Sequence, residues 1–441
     1  MKVAHVPFTF APDPVGGTEI YVETLAHSLR AHGIDSVILA PASTNRNELY
    51  EYNGLRVRRF RSARESKHML RELYGAGDPE AAVAFAHILD QERPDGVHLH
   101  AFTRAVSVLV VRTAKQRGVP VFFTYHTPTV SCQRGTLMFL GKEVCDGALG
   151  VRRCASCALE NRGLTRWAAA ALSCVPPPLA HVVAKANLSG GMWTALRMSE
   201  LVRARHEAFH ELMSEVDGVV ALSEWVRDLL VHNGVSGSKI TLSRHGLPAI
   251  SNTRQSPIDL AETPLRVAFL GRADRVKGAD TIIKALRAAP DLRIMLHLYG
   301  IAQSAADEEY WTLLRSLAAD DARITFFPPV PHDKVAVLLG GYHLLAVPSR
   351  WMETGPLVVL ESFAAGTPVI GSKLGGIAEL VQHQRNGLLV EPEDILAWVD
   401  ALRRCGEDRP LLARLRKGVE PPRGMGQVAR EMAQLYCRQV G

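Results

Sequence analysis

Two doubly wound parallel α/β sheets are the fold this sequence predicts, and three observations predict it. Strand-length apolar runs alternate with amphipathic helical runs in two separate stretches of the chain, the signature of βαβ units. The strand runs are apolar throughout, as in "VFFTY" at 121–125, which suits strands covered on both faces. A polar segment rich in Pro, Ser and Thr, "PAISNTRQSPIDLAETP" at 248–264, divides the two stretches and reads as a linker.

The first stretch opens with "KVAHVPF" as a strand. The Gly16-Gly17 pair then leads into an amphipathic helix that stops at Gly33. "DSVILAP" and "DGVHLHA" are the next strands, followed by a helical run near 104–117 and the strand "VPVFFTYH". Residues 127–215 break this rhythm with a cysteine cluster, the prolines Pro176, Pro177 and Pro178, and two long helical stretches. "VDGVVALSEWVRDLLVHNGV" and "KITLSRHG" restore it. The second stretch runs through "LRVAFLGR", "RIMLHLYG", "RITFFPPV", "LLAVPS", "TPVIGS" and "NGLLVEP". The predicted division is a domain over 1–246 with a Cys-rich insertion at about 127–215, and a second domain over 247–425. A terminal helix at 426–441 follows, and the sequence leaves its attachment open.

At 441 residues the chain is too long for one ordinary domain. Its 47% hydrophobic and 22% charged residues are those of a soluble globular protein. "MKVAHVPFTF" reads as a first strand rather than a signal peptide, and no window is long and apolar enough to span a bilayer. The expected location is cytoplasmic. The formal charge is +6, but residues 101–200 alone hold twelve Lys/Arg against four Asp/Glu. That segment is either a solvated basic face or one that attracts phosphate groups, on a lipid head or an anionic acceptor. Trp167 and Trp193 flank an apolar, basic part of it. They suit core packing or, alternatively, peripheral contact with the inner face of a membrane. No nucleic-acid-binding motif accompanies the charge.

Two sequence stretches carry chemistry. In "AFLGRADRVKGAD" a buried strand ends near Gly271, Arg272 and Lys277 follow, and a helix begins near Gly278. Ligands of open α/β sheets sit at the carboxyl ends of strands, and an Arg fork with a Lys point charge suits a diphosphate. In "SRWMETGPLVVLESFAAGTPVIGS" (349–372) two carboxylates flank a Gly-Pro pair. Pro356 is expected as the first helical residue, where its missing N–H costs nothing. The next amides, on Leu357 and Val358, then form an anion site with the helix dipole. Gly355 would let a phosphate or sugar approach the backbone. Glu353 lies on the incoming loop and Glu361 more than one turn inside the helix. The two acids are therefore separate stations along one ligand rather than a metal pair.

These residues carry a family resemblance. Glu353 and Glu361 match the E-x7-E signature of the retaining GT-B glycosyltransferases of glycosyltransferase family 4. "PVGGTEIYVETLAHSLRAHG" resembles that family's glycine loop and helix, "GRADRVKGAD" its Arg-x4-Lys donor site, and the stretch from Pro356 through "NGLLVEPED" its C-terminal signature. The resemblance implies two Rossmann-like domains facing across a cleft. It implies a retaining transfer of a sugar from a nucleoside-diphosphate sugar, UDP ahead of GDP or ADP, to a hydroxyl on a glycan or lipid-linked acceptor, as in polysaccharide synthesis. It implies that Glu361 holds the ribose and that Glu353, Gly355, Pro356 and Leu357 hold the donor sugar and phosphate. Arg272 and Lys277 would stabilise the leaving diphosphate, and Val330 would lie near the base. His126 in "TYHTP" would contact the donor sugar from the first domain, and Gly16 and Gly17 would let the first loop approach the diphosphate. Fixed cations and helix amides can stabilise such a leaving group without a metal, so no catalytic metal is expected. The sequence departs from the family at Thr354-Gly355-Pro356, where Gly-Phe-Gly is common, and at His245-Gly246, where Asn-Gly is common. The alternatives are a catalytically silent scaffold subunit of a glycan synthase, or another GT-B nucleotide-sugar enzyme such as an epimerase.

Cys132, Cys145, Cys154 and Cys157 crowd into one segment. Four thiolates with intervening glycines suit a structural zinc, with free or redox cysteines and an iron–sulfur cluster as alternatives. Cys174, Cys405 and Cys437 are read as inert. His98 and His100 alternate at a strand end and are read as structural, with acceptor contact as an alternative.

Overall fold

The structure is a computed structural model. It describes residues 1–13, 16–42, 48–63, 77–176, 179–180, 182–183, 190–248, 258–260 and 263–440. Most of the expected linker lies outside the described residues. The chain forms two compact units, one of residues 1–244 with 426–441, the other of residues 245–425.

The first unit is built on strands β1 (Lys2–Val6), β2 (Asp35–Pro41), β3 (Glu48–Tyr52), β4 (Leu55–Phe60), β5 (Gly96–Leu99) and β6 (Val121–Tyr125). A short hairpin, β7 (Met138–Phe139) and β8 (Glu143–Val144), stands apart, and β9 (Gly218–Ala221) and β10 (Ile240–Leu242) complete the set. The main sheet has the order β10-β9-β6-β5-β1-β2-β4-β3. It is parallel except for the β3–β4 hairpin. That hairpin turns at Asn53-Gly54, both left-handed at φ 46° and 71°, as a tight hairpin turn requires. Helix α1 (Gly17–Leu29) ends through a 3₁₀ turn at Gly33, which is left-handed at φ 70°. Helix α2 (Pro79–Glu92) starts at Asp78, whose side chain accepts from the Glu80 and Ala81 amides, with proline in the first turn. Helix α3 (Val108–Lys115) falls inside the run predicted at 104–117.

The elaboration consists of the β7–β8 hairpin and helices α4 (Val151–Glu160), α5 (Arg166–Leu172), α6 (Gly191–Leu196) and α7 (Met198–Glu215). It has a small core of its own from Ala155, Leu159, Ala169, Met198 and Val202. Trp167 is 86% exposed, so core packing does not explain it. Among the described residues, no helix is long and apolar enough to cross a membrane. Helix α8 (Glu224–His232) completes the crossover from β9 to β10.

The second unit is a six-stranded, wholly parallel sheet. Its strands are β11 (Leu265–Arg272), β12 (Ile294–Ile301), β13 (Ile324–Phe327), β14 (Leu344–Val347), β15 (Val369–Ser372) and β16 (Gly387–Val390). Their order, β13-β12-β11-β14-β15-β16, reverses direction between β11 and β14, where doubly wound sheets bind ligands. The helices are α9 (Ala279–Ala288), α10 (Ala305–Ala318), α11 (His332–Gly340), α12 (Leu357–Ala364), α13 (Gly375–Leu380), α14 (Ile395–Glu407) and α15 (Arg409–Lys417). Two apolar clusters form its core, one around Leu298, Leu314 and Trp398 and the other around Leu345, Val359 and Ile377. The last helix, α16 (Met425–Val440), belongs with the first unit. Its Tyr436 hydroxyl lies 2.6 Å from His98 Nδ1, and Ser243 Oγ donates to Glu431.

Candidate functional site

The second unit assembles its polar residues at the carboxyl ends of β11 and β14. Strand β11 delivers Arg272, and the next turn is held by Asp274 Oδ1, which accepts the Val276 amide at 3.1 Å. Gly278 then takes φ 69°, and a Cβ there would meet the Pro348 carbonyl at 2.0 Å, so only glycine fits. The loop after β14 runs against this turn, with the Arg350 amide donating to the Val276 carbonyl at 2.7 Å. Arg350 also pairs with Asp280 at 2.8 Å. Burial opposes ionisation of Asp280, but bonds from Arg350, Lys284 and Tyr310 bring it down to about 2.

Lys277 Nζ lies 2.7 Å from Glu353 Oε1, and Ser349 Oγ donates to the same oxygen at 2.8 Å. Lys277 also stands over the Trp351 ring, 5.4 Å from its centre. Burial would raise the Glu353 carboxyl, but the Lys277 charge and these hydrogen bonds outweigh it and hold it below its ordinary value. The Glu353 carbonyl accepts the Gly376 amide at 2.6 Å. A Cβ on Gly375 or Gly376 would strike the Glu353 backbone within 2.9 Å. The glycine pair thus lets the loop close over α13.

One expectation needs correction here. Pro356 caps α12 from outside, and the helix begins at Leu357, one residue later than predicted. With φ −70° and ψ 105°, Pro356 keeps an extended backbone, so its ring fits the entry turn rather than the first helical turn. In the direction of a side chain, Gly355 packs against His245. A Cβ there would lie 2.3 Å from the His245 ring. His245 is itself buried, and burial first, then the Arg423 charge, lowers it to about 4. Among the described residues, no hydrogen bond is seen to the Leu357 or Val358 amides, as a helix start leaves them.

Glu361 is buried, and its Oε1 lies 2.8 Å from Nδ1 of His332, the first residue of α11. Sequence reasoning missed His332, because the contact joins separate elements and no local spacing announces it. The two acids thus have separate partners, Lys277 and His332. Arg272 is 43% exposed, with its ion-pair partner Asp274 at 3.6 Å. Val330 is half-buried against the cluster around Tyr342 and Phe363.

In the first unit Gly16 caps α1, and its amide donates to Glu19 Oε2 at 2.8 Å. Glu19 is buried beside the glycine loop and was also missed, although Gly-x2-Glu is a capping-box spacing. Gly17 is the first helical residue. His126 lies just past β6, 8% exposed, with Nε2 3.1 Å from His100 Nδ1 and the Tyr21 ring edge-on at 5.1 Å. His98 and His100 are both buried and hydrogen-bonded at the strand end. Cys132, Cys145, Cys154 and Cys157 lie in one neighbourhood. Burial, then charge interactions among the four, pushes Cys154 up to about 11, and burial also raises Cys145 and Cys157. The Leu140 amide donates to Cys157 Sγ at 3.3 Å. Among the described residues the ligand atoms that converge within 4.8 Å belong to His5, His98 and His100, not to the cysteines.

Two Rossmann-like parallel-sheet domains of this kind define the GT-B class. The chain belongs to the glycosyl transferase 4-like family, whose profile matches residues 16–246, and the profile for glycosyl transferases group 1 matches residues 252–420. Among curated proteins it is similar to the D-inositol 3-phosphate glycosyltransferase of Mycobacteroides abscessus, at 32% identity over 43% of this chain and 41% of that protein. It is also similar to that of Nocardia farcinica, at 30% identity over 46% and 48%. The chain therefore spans about half the length of the curated relatives it matches. Solved structures share the fold. Sucrose-phosphate synthase from Thermosynechococcus elongatus has a TM-score of 0.65 at 21% identity, covering 99% of this chain and 98% of that one. Anabaena HepE, solved with UDP and with UDP-glucose, has 0.65 and 0.64 at 16% identity, covering 99% and 100%.

Proposed function

We propose that this chain is a retaining glycosyltransferase. It moves a sugar from a UDP-sugar to a hydroxyl on a glycan or lipid-linked acceptor. The observation that carries the reading is the buried Lys277–Glu353 pair, set between the Arg272 turn and the start of α12. That pairing puts a cation and a charged acceptor beside free helix amides. Such a constellation fits a diphosphate on one side and sugar hydroxyls on the other. Glu361 accepts from the ribose hydroxyls, and Val330 lies near the base. Gly355, Pro356 and Leu357 offer backbone groups to the sugar and phosphate. Arg272 and Lys277 take up the charge that grows on the leaving diphosphate. His126 meets the donor sugar, with Gly16 and Gly17 at the diphosphate. Neighbours of the same fold bind nucleotides and a nucleotide sugar, HepE with UDP and UDP-glucose and a starch synthase with ADP, which supports a nucleotide-sugar donor.

The four thiols of Cys132, Cys145, Cys154 and Cys157 match a structural zinc in number and kind, while no three of their sulfurs lie mutually within 4.8 Å. They are close enough to influence one another, and one already accepts an amide N–H as a metal-bound thiolate does. A bound zinc would order the segment that follows His126 and supply no step of the transfer. The basic first unit and the exposed Trp167 favour peripheral seating at the inner face of a membrane, where lipid-linked acceptors reside.

The test is a thermal-shift and calorimetric screen of the full chain against UDP, GDP and ADP, followed by product analysis with the donor selected. A ligand at about 100 times its Kd adds about 2.7 kcal/mol, so the bound nucleotide stands out. No shift with any diphosphate would sink the donor-site reading. A product of inverted anomeric configuration would sink retention.

A further inference from the structure

The first unit reverses strand order between β1 and β5, its own ligand-binding crevice by the topological rule. Three imidazoles converge there. His5 Nδ1 lies 3.1 Å from His100 Nε2, and His100 Nδ1 lies 3.1 Å from His126 Nε2. His5 is on β1, His100 just follows β5, and His126 just follows β6. The three rings thus run in one hydrogen-bonded line from the sheet interior to its carboxyl edge. At the inner end Ser36 Oγ lies 3.4 Å from His5 Nε2. His98, paired in register with His5, stays outside the line: its nitrogens face the hydroxyls of Tyr436 at 2.6 Å and Thr124 at 2.7 Å.

We propose that His5 and His100 are positioning residues, a relay of imidazoles that couples the choice of protonated nitrogen on His126 to the protons on His100 and His5. The functional half of this proposal rests on the reading above, in which His126 meets the donor sugar. A neutral imidazole has one N–H and one lone pair. Each ring–ring contact needs one of each. Only two patterns satisfy both contacts. In one, His5 Nδ1–H donates to His100, His100 Nδ1–H donates to His126 Nε2, and the His126 proton sits on Nδ1. In the other all bonds reverse, and His126 carries its proton on Nε2 and a lone pair on Nδ1. Any mixed pattern sets two protons or two lone pairs face to face at 3.1 Å. The Ser36 hydroxyl can donate or accept, so it permits either pattern.

A charged His100 would place two N–H groups in this line, and burial opposes it. His5 is lowered to about 3 by burial, and His100 well below its ordinary value by burial and then by its histidine neighbours. With His100 neutral, the His126 nitrogen in the line is an acceptor in one pattern and a donor in the other. No local spacing in the sequence shows this, because the three rings come from three strands.

The experiment labels the full-length protein with ¹⁵N-histidine and reads the ring nitrogens without substrate, assigning signals with His5→Phe, His100→Phe and His126→Ala. The wild type should show His126 in one nitrogen pattern from about pH 6 to 8. His100→Phe keeps a ring in the space but removes both contacts. It should leave His126 with mixed tautomers or a titration in that range, and should lower kcat roughly tenfold with donor KM little changed. His100→Asn, which returns an amide near the Nδ1 position, should recover most of that loss and guards against a folding defect. An unchanged His126 pattern in His100→Phe overturns the relay, even where His126→Ala abolishes transfer. If His126→Ala leaves transfer intact, the functional half falls together with the role assigned to His126, while the ring signals still decide the hydrogen-bonded half. A near-equimolar metal that is lost in His5→Phe but kept in Cys154→Ser also overturns the relay, in favour of a metal held by His5, His98 and His100.

Discussion

Replacing Lys277 with Met removes the cation beside Glu353 while keeping most of the side-chain volume. The expected cost comes from the carboxylate left behind. Glu353 is 8% exposed at its side chain and Lys277 22%. Breaking a fully buried pair costs about 3–5 kcal/mol. The partly open Lys277 lets water reach the stranded acid, so about 2–3 kcal/mol is expected. Ser349 still donates to the carboxylate at 2.8 Å, which keeps the loss from being larger. Glu353→Gln in the Lys277→Met background removes the stranded charge and should restore about half of the loss, a coupling of about 1–2 kcal/mol. Because the two units can unfold separately, hydrogen exchange across residues 344–364 is the proper readout, with urea curves beside it. The pH dependence has a definite sign. The folded-state value of Glu353 is lowered, so the pair's contribution is full above the unfolded value of roughly 4.3 and is lost as pH falls through the folded value. In Lys277→Met burial is no longer opposed by the ammonium. The gap between wild type and variant should therefore narrow on acidification. Strict additivity in the double variant, or a single-variant cost below about 0.5 kcal/mol, would refute the argument.

Other consequences follow from the same geometry. Glu361→Gln should weaken nucleotide affinity roughly tenfold in calorimetry, since charge-assisted bonds are worth about 1.5–3 kcal/mol; His332→Ala should change affinity less, because His332 contacts the acid rather than the ribose. Arg272→Ala should lower kcat more than it raises KM, as expected for a cation that meets charge growing in the transition state, with steady-state kinetics as the check. Cys154→Ser should lose zinc by elemental analysis and loosen residues 127–160 by hydrogen exchange, with nucleotide affinity held within a few-fold. Gly278→Ala should destabilise the second unit by more than about 1 kcal/mol, because its backbone is left-handed and the added Cβ meets the Pro348 carbonyl; a thermal melt decides.

The sheets were legible because apolar strand runs and helix periodicity are local signals. Arg272, Lys277, Glu353 and Glu361 were legible because each sits within a few residues of a strand end or helix start. The β3–β4 hairpin was missed, because its strands mix polar with apolar residues at the sheet edge and fall outside the parallel rhythm, although Asn53-Gly54 is a hairpin turn signal. What else stayed hidden depends on contacts between distant elements: His332 on Glu361, His5 on His100, Tyr436 on His98. Such pairs are fixed by sheet order and helix docking, which no spacing rule encodes. Gly355 shows a subtler limit. The sequence marks a position that tolerates no side chain, but it does not say what fills the space, and a histidine of the same unit fills it.

The resting charges of the second unit bear on how a diphosphate would engage it. Lys277 is tied to Glu353 at 2.7 Å, and Glu361 to His332 at 2.8 Å. Arg272 is the more exposed cation, and its ion-pair partner stands farther off, at 3.6 Å. A contact at that distance between exposed groups is worth little, about 0–1 kcal/mol, so Arg272 can turn to a phosphate at small cost. Lys277 gives up part of its pair only if the ligand offers a replacement charge at short range. On the proposed reading Arg272 therefore captures the diphosphate, and Lys277 is drawn further from Glu353 as negative charge builds on the leaving group. That shift frees a Glu353 oxygen for a sugar hydroxyl at the stage when the sugar carries positive charge. At rest Glu353 is held below its ordinary value, against its burial, by the Lys277 charge first and by hydrogen bonds that include one from Ser349. The pair thus links phosphate departure to sugar stabilisation through one shared oxygen. It follows that Lys277→Met should impair transfer more than Arg272→Ala does, although Arg272 is the more accessible cation.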